Sequence, residues 1–480
     1  MRRPAGGAKA RLRAFRRFFL PDTRYRHFHF VYLFRFVQKY LPVLLLPLLR
    51  ALLEWDLAAL GLALRQSGAL LAAAALLALL EWRAAGWMVD GSGVLHLCSG
   101  LVRRRHLLLR REELAAVRIE RAPHCRLLGA AAVALYPARA QKPAPPVLYL
   151  PRAGAERLAA MLIPAEGAPF YRAVGAERLP MVLLGADTVT TGVLLWAAVR
   201  RTHQLGIRAE QAALAGFSRA AAAAAAWLPA GTAWLLTGAG VLLLLSLGRS
   251  LCRTAFYKVY KSDACILFRG GIFHLSACRV RIAAVTVCDI RATPAARLLR
   301  HYPVYLTAGT YRGDLPVLLL HAGQESRLAQ LIPGAVPAPA RRQDTAGRSF
   351  AAFLLLPGLG CGMLSLLALA ALFLLPGLAG AFALAALVCG GMLAAGIRGR
   401  RCEDVTHSGA CLTAHIVRRF TLHTYCLPAA PAQTVLVQSV WAYAARRGNL
   451  LLCLAGGTVL KVKSIPEAQA AALGQFKKYA

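Results

Sequence analysis

Acidic residues are scarce in this chain: 21 Asp and Glu stand against 58 Lys and Arg over 480 residues, a formal charge of +37. No two carboxylates stand out as a pair for general acid–base work. The chain also lacks a Walker-type phosphate loop, a dinucleotide fingerprint, an H-E-x-x-H helix and a G-x-S-x-G elbow. The sequence thus gives no sign of an enzyme and implies no cofactor. Its 12 cysteines include no C-x-x-C pair. They are scattered, two of them (Cys361, Cys389) inside apolar runs, and read as free thiols in a reducing compartment rather than a disulfide framework. Cys411, His415, His423 and Cys426 follow a C-x3-H-x7-H-x2-C spacing, which is not a common zinc-finger spacing. The stretch alternates like a strand, so no metal is assigned.

What the chain has is apolar length. It is 58% hydrophobic with a mean hydropathy of +0.51, against roughly 45–50% in soluble domains. About 20 apolar residues span a bilayer as a helix. Six segments suit that length, in three pairs: 33–53 with 57–80, 179–199 with 220–247, and 351–375 with 377–397. The basic start lacks a cleavage site of the A-x-A type. Its alternation of Arg with Phe and Tyr suits an interfacial anchor better than RNA binding. Arg and Lys crowd residues 2–26, Arg249–Lys261 and Arg398–Arg401, whereas the turns at 54–56 and 376–377 lack them. The 200–219 loop, with Arg200, Arg201, Arg208 and Arg219, breaks the pattern. The balance favours a cytoplasmic N-terminus and three cytoplasmic polar blocks. Arg65 and Asp187 fall inside apolar segments at similar depth and form a candidate intramembrane pair. Gly358 and Gly362 form a G-x-x-x-G step suited to close helix packing.

The polar blocks repeat. "SGLVRRR" (99–105) aligns with "GGIFHLS" (270–276), with Leu101 and Ile272 at an offset of 171 residues. "CRLLGAAAVALYP" (125–137) aligns with "ARLLRHYPVYLTA" (296–308), with Arg126 and Arg297 at the same offset. "ERLAAMLIP" (156–164) returns as "SRLAQLIPG" (326–334). The third block is more diverged but keeps the order of strands, an Arg-rich corner ("ARRGNL", 445–450) and a terminal helix after Pro466. Period-2 stretches with Ser-Gly and Gly-Gly turns predict antiparallel hairpins in each block. Each block therefore reads as a small β-barrel or sandwich capped by one helix. The division expected is a basic segment at 1–30, transmembrane hairpins at 31–83, 179–248 and 350–397, and β domains at 84–178, 249–349 and 398–480.

The segments D-G-S-G-V-L-H-L-C-S-G-L-V (90–102) and D-A-C-I-L-F-R-G-G-I-F (263–273), the "RLLG" and "RLL" corners (126–129 and 297–299), and the order of two spans then one domain, three times over, carry a family likeness. The chain resembles bacterial pleckstrin-homology-like (PH-like) membrane proteins of the YdbT type. The third block departs, with His415 where the hairpin glycine is expected. The resemblance implies a fold of membrane α plus β: three transmembrane hairpins, each followed by a PH-like barrel. It also implies a companion membrane protein with a single PH-like domain, and no known enzymatic activity. Within it, Arg103, Arg104 and Arg105 form the sharpest basic cluster outside the N-terminus. They are candidates for contact with anionic lipid of the inner leaflet or with a partner; His274, Arg279, Arg281, Arg418 and Arg419 continue the basic character in the later blocks. The expected role is a scaffold or sensor in envelope stress or antimicrobial resistance at a bacterial cell membrane, with no nucleic acid. The alternative is a component of a transporter or channel.

Overall fold

The structure is a computed structural model. It describes residues 25–34, 57–100, 105–139, 146–164, 167–173, 175–186, 191–192, 207–225, 230–339, 348, 351–374, 376–408, 411–473 and 477–479. The strands among these residues form four sheets. The first runs β1 (Arg26–His27), β2 (Gly86–Val89), β3 (Leu95–Ser99), β4 (Arg105–Leu109). The second contains β5 (Leu114–Arg121), β6 (Ala130–Pro137), β7 (Val147–Pro151), β8 (Ala168–Arg172), β9 (Lys258–Lys261), β10 (Cys265–Gly270) and β11 (Leu275–Arg281), in the order β7-β6-β5-β11-β10-β9-β8. The third contains β12 (Val285–Ala292), β13 (His301–Ala308), β14 (Tyr311–Arg312), β15 (Leu318–His321), β16 (Asp404–Ser408), β17 (Cys411–Arg418) and β18 (Thr421–Leu427), in the order β14-β13-β12-β18-β17-β16 with β15 on β13. The last is β19 (Gln433–Val437), β20 (Arg447–Cys453), β21 (Val459–Pro466) and β22 (Lys477–Tyr479), in the order β21-β20-β19-β22.

This arrangement corrects the expectation of three separate barrels. Each block splits its strands between two sheets, and the second sheet of one block continues into the first sheet of the next. Two joints do this. At the first, β5 pairs antiparallel with β11, placing Arg118 opposite Cys278. At the second, β12 pairs antiparallel with β18, placing Asp289 opposite Tyr425. Asp289 is the repeat counterpart of Arg118, so both joints hold one register. The register shifts in these strands also correspond, at Leu114/Ala116 and Val285/Val287.

The physical reason lies in the burial of β5 and β12. A strand with one wet face alternates apolar and polar, whereas a strand covered on both faces reads as a continuous small or apolar run. Leu114–Val117 and Val285–Asp289 are buried at every position. Leu114, Val117 and Ile119 face one core with Leu95, Leu97, Leu135 and Leu158. Ala115 and Ala116 face the next core, with Ile266, Cys278 and Val304. Likewise Val285 and Cys288 join that middle core and Val287 joins the third. Each shared sheet is a wall between two cores.

The corners and caps repeat as well. Short helices Pro123–Leu127 and Pro294–Leu299 each start on a proline, whose missing N–H costs nothing there. Each corner leaves through a left-handed residue: Gly129 at φ 66, Arg300 at φ 55 and Arg446 at φ 49. Glycine takes that conformation without strain, and the two arginines show that the corner is imposed by its surroundings. Helices Arg152–Leu162 and Ser326–Leu331 bury Leu158, Leu162, Leu328 and Leu331.

The helical expectation is corrected too. Among the described residues one helix, Ala352–Leu374, is long and apolar enough to cross a membrane, with a hydropathy of 2.1 and 11% of its apolar window buried. Three transmembrane hairpins are not found among the described residues. Apolar length alone does not separate a span from a helix that packs within the protein. The 179–199 segment shows this: its described helix, Arg178–Leu184, stops at Gly185. It is tied to the Ala230–Thr254 helix by Ser250 Oγ, which donates to the Val182 carbonyl at 2.7 Å. The 220–247 segment is divided between helices Ile207–Ala225 and Ala230–Thr254. Most of the 33–53 segment, and residues 193–199, lie outside the described residues. Helices Leu356–Leu374 and Pro376–Cys402 pack along small residues: a Cβ on Gly360 would lie 3.5 Å from Cys389 Sγ, and one on Gly358 3.7 Å from Leu393. Nothing lies within 4 Å of such an atom on Gly362, so the G-x-x-x-G step does not present both its glycines to the neighbour.

Candidate anion-binding cleft at the second joint

The second joint carries its charge on alternate residues of β12, so Asp289 and Arg291 share a face. Asp289 is 7% exposed and is held from two sides. Arg291 Nε donates to Asp289 Oδ2 at 2.7 Å, and His423 Nδ1 of the neighbouring β18 lies 2.9 Å from Oδ1. The Arg291 guanidinium lies 3.6 Å from the centre of the Tyr305 ring, a stacked cation–π contact. Burial works against the Arg291 charge, but Asp289 together with Tyr305 and Tyr425 holds its pKa above the ordinary value. His423 stacks on Tyr425 at 5.4 Å and 9°, and Arg418 lies 5.7 Å from the centre of the Tyr425 ring. Burial, then Asp289, push the Tyr425 hydroxyl upwards, so it stays protonated at neutral pH.

Beside this lattice is a cleft of ≈ 790 Å³. Arg249 and Arg253 from the end of the Ala230–Thr254 helix line it, with Arg291, Tyr305 and the β17–β18 turn bearing Arg418 and Arg419. Arg419 sits in the left-handed region at φ 53. Among the described residues, Asp314 is the carboxylate that lines the cleft with these five arginines, and it is bound by Arg118 Nη1 at 2.7 Å. Asp289 and Glu120 stand close by, the first held by Arg291 and His423, the second by Arg118 and within the field of Arg253. Among the described lining residues guanidinium groups outnumber carboxylates, and their planar forks suit phosphate oxygens.

The residues singled out in sequence fall in different places. Arg105 opens β4 and is exposed, while Arg103 and Arg104 lie outside the described residues. Arg65 is exposed on helix Leu57–Ala84; Asp187 lies outside the described residues, and with it the proposed pair. His274 lies 3.5 Å from Glu120. Arg279 Nη1 donates to the Ile163 carbonyl at 2.9 Å and Arg281 Nη2 to the Leu162 carbonyl at 3.2 Å. These two cations close the C-terminus of the Arg152–Leu162 helix, where the helix dipole favours positive charge. They are engaged in the first joint. His415 turns to Thr424 Oγ1 at 3.1 Å and His423 to Asp289, so the Cys411–Cys426 stretch does not converge on one point. Sequence reasoning passed over Asp289, Arg291 and Tyr305. Their one signal was the alternating "DIR" of β12, the counterpart of "RIE" in β5.

Residues 34–165 match the model of the family described as Bacterial PH domain. The matched stretch takes in helix Leu57–Ala84, strands β2–β7 and the Arg152–Leu162 helix. No curated protein and no solved structure matches the chain. The first block of this chain is thus a bacterial PH-like domain.

Proposed function

We propose that the chain is a non-enzymatic scaffold of three PH-like units at the inner face of a bacterial membrane, holding an anionic lipid headgroup in the cleft of the second joint. The observation that carries this reading is the convergence of Arg249, Arg253, Arg291, Arg418 and Arg419 on one cleft whose described lining carboxylate, Asp314, is already paired. The apolar helix Ala352–Leu374 and the Arg398, Arg400 and Arg401 cluster on the helix that follows support a membrane position. Repetition of corner, cap and joint supports reading the second and third blocks as PH-like too. In the finer reading the protein is of the YdbT type and serves envelope stress or antimicrobial resistance with a companion PH-like membrane protein.

The test is lipid selectivity of the purified chain in neutral detergent, titrated with phosphatidylglycerol and with phosphatidylcholine. A preference for the anionic lipid that weakens with salt is expected. Replacing Arg249, Arg418 and Arg419 together by Gln should lower it by roughly a hundredfold, at about 1 kcal/mol per charge. An unchanged preference in the triple variant would refute the cleft assignment.

A further inference from the structure

The third strand of each block's first sheet occupies one structural position three times: β4, β11 and β18. Hairpin registers establish the equivalence. Leu97 pairs with Leu107, Phe268 with Cys278 and Ala414 with Tyr425. The outer edge of β11 is taken by β5 and that of β18 by β12, both antiparallel and in one register. Among the described residues, no strand pairs with the outer edge of β4.

The side chains at that position record the difference. Cys278 is 0% exposed and Tyr425 5%, but Leu107 is 39% exposed and its neighbour Leu108 59%. Leu109, one step towards the core, is 4% exposed like its counterparts Val280 and Leu427, at 0% and 1%. The block 1 core is therefore closed at Leu109 and open where a further strand would lie over Leu107. A bare edge with apolar residues is a site for strand addition.

We infer that β4 is a docking edge, and that its occupant is the first strand of the second sheet of a PH-like domain on another polypeptide, seated as β5 sits on β11. Two observations fix the kind of partner. The joint made twice inside this chain uses that strand and no other. In addition, this chain's own last strand of that kind, β19, already has its edge covered by β22, paired parallel through Val435–Lys477 to Val437–Tyr479. The tail thus keeps copies of the chain from adding head to tail without end, which a heterologous contact of this type otherwise does. Register places the docked strand's counterpart of Glu120 opposite Arg105, since Ser276, which Arg105 replaces, faces Glu120. An acidic residue there meets the Arg105 charge. The receptive edge rests on the two joints alone, and the identity of its occupant rests on the scaffold reading.

The probe is the chain itself with its tail removed. Full-length protein and a form ending at Phe476, both in mild detergent, are compared by sedimentation over a range of concentrations. The full-length chain should stay monomeric. The shortened chain, with β19 uncovered, should assemble, its average mass at least doubling as concentration rises. Leu107→Lys should return it to monomer, and Leu108→Asp, at a more exposed position, should do so without altering the far-ultraviolet spectrum. A shortened chain that stays monomeric would overturn the docking edge, as would assembly that ignores both substitutions. Self-association of the full-length chain, abolished by Leu107→Lys, would overturn the assignment to another polypeptide and install a second copy. None of these readouts involves the basic cleft, so failure of lipid selectivity and failure of strand docking are told apart.

Discussion

The two joints share one backbone and opposite charges. Arg118 and Glu120 decorate the first; their counterparts Asp289 and Arg291 decorate the second, with the order of signs reversed. At the first joint the arginine is the inner partner, 13% exposed, clamped between Glu120 and Asp314 at 2.7 Å each. At the second the carboxylate is the inner partner, its side chain 9% exposed, clamped by Arg291 and His423. Register survives this reversal, so the ladder and the apolar wall hold the joint and the ion pairs do not. What the charges set is chemistry. An inner arginine consumes nearby carboxylates, whereas an inner aspartate consumes one arginine and one histidine, beside a cleft that Arg249, Arg253, Arg418 and Arg419 also line.

The most severe way to break this equivalence is to charge the wall. Cys288 and Val117 are both 0% exposed, so Cys288→Asp and Val117→Asp should each cost on the order of 4 kcal/mol, the desolvation cost of an unpaired buried charge. Thermal unfolding in detergent reads both. If one wall tolerates its aspartate and the other does not, the joints are not equivalent. Next in size, Asp289→Ala removes the inner acid and leaves Arg291 and His423 facing each other, at roughly 2–4 kcal/mol. Its effect should exceed that of Asp289→Asn, which keeps the hydrogen-bonding shape.

A third prediction concerns the support behind the second joint. Glu403 accepts from Val417 N of β17 and Lys463 N of β21, each at 3.2 Å, with Arg348 and Lys463 nearby. Burial pushes its carboxyl up to about 7 against those donors. A folded pKa raised above the unfolded value gives stability that is complete below the unfolded pKa and lost as pH rises through about 7. Glu403→Gln leaves one of these two backbone donors without an acceptor, a cost independent of pH, but it does not ionise. Its stability relative to the parent chain should therefore rise by roughly 1–3 kcal/mol from acid to alkaline pH. A midpoint difference that stays constant between acid and alkaline pH would remove this group from the account. The smallest effect belongs to Asp314→Asn. Asp314 is 49% exposed, and screened pairs of that kind contribute about 1 kcal/mol or less.

Much of the local order was legible in the sequence. Strand periodicity, the repeat at an offset of 171 residues and the helix ending at Pro164 and Pro333 all reflect contacts close along the chain. The joints were not legible, because β5 reads as an ordinary strand of its own block until its second covered face is seen. The residues "LAAV" carried that signal, since they do not alternate. In sequence Arg279 and Arg281 continue the basic character of the Arg103–Arg105 region; in the structure they close a helix belonging to the preceding block.

The sequence by itself determined the repeated blocks, their strands, corners and caps, and the excess of positive charge, because these depend on local pattern and composition. Only the tertiary structure decided that the blocks share sheets, that five arginines meet at one cleft, and that no described strand covers the outer edge of β4. Strand pairing over more than a hundred residues depends on which edges and faces find cover, and no local window contains that information.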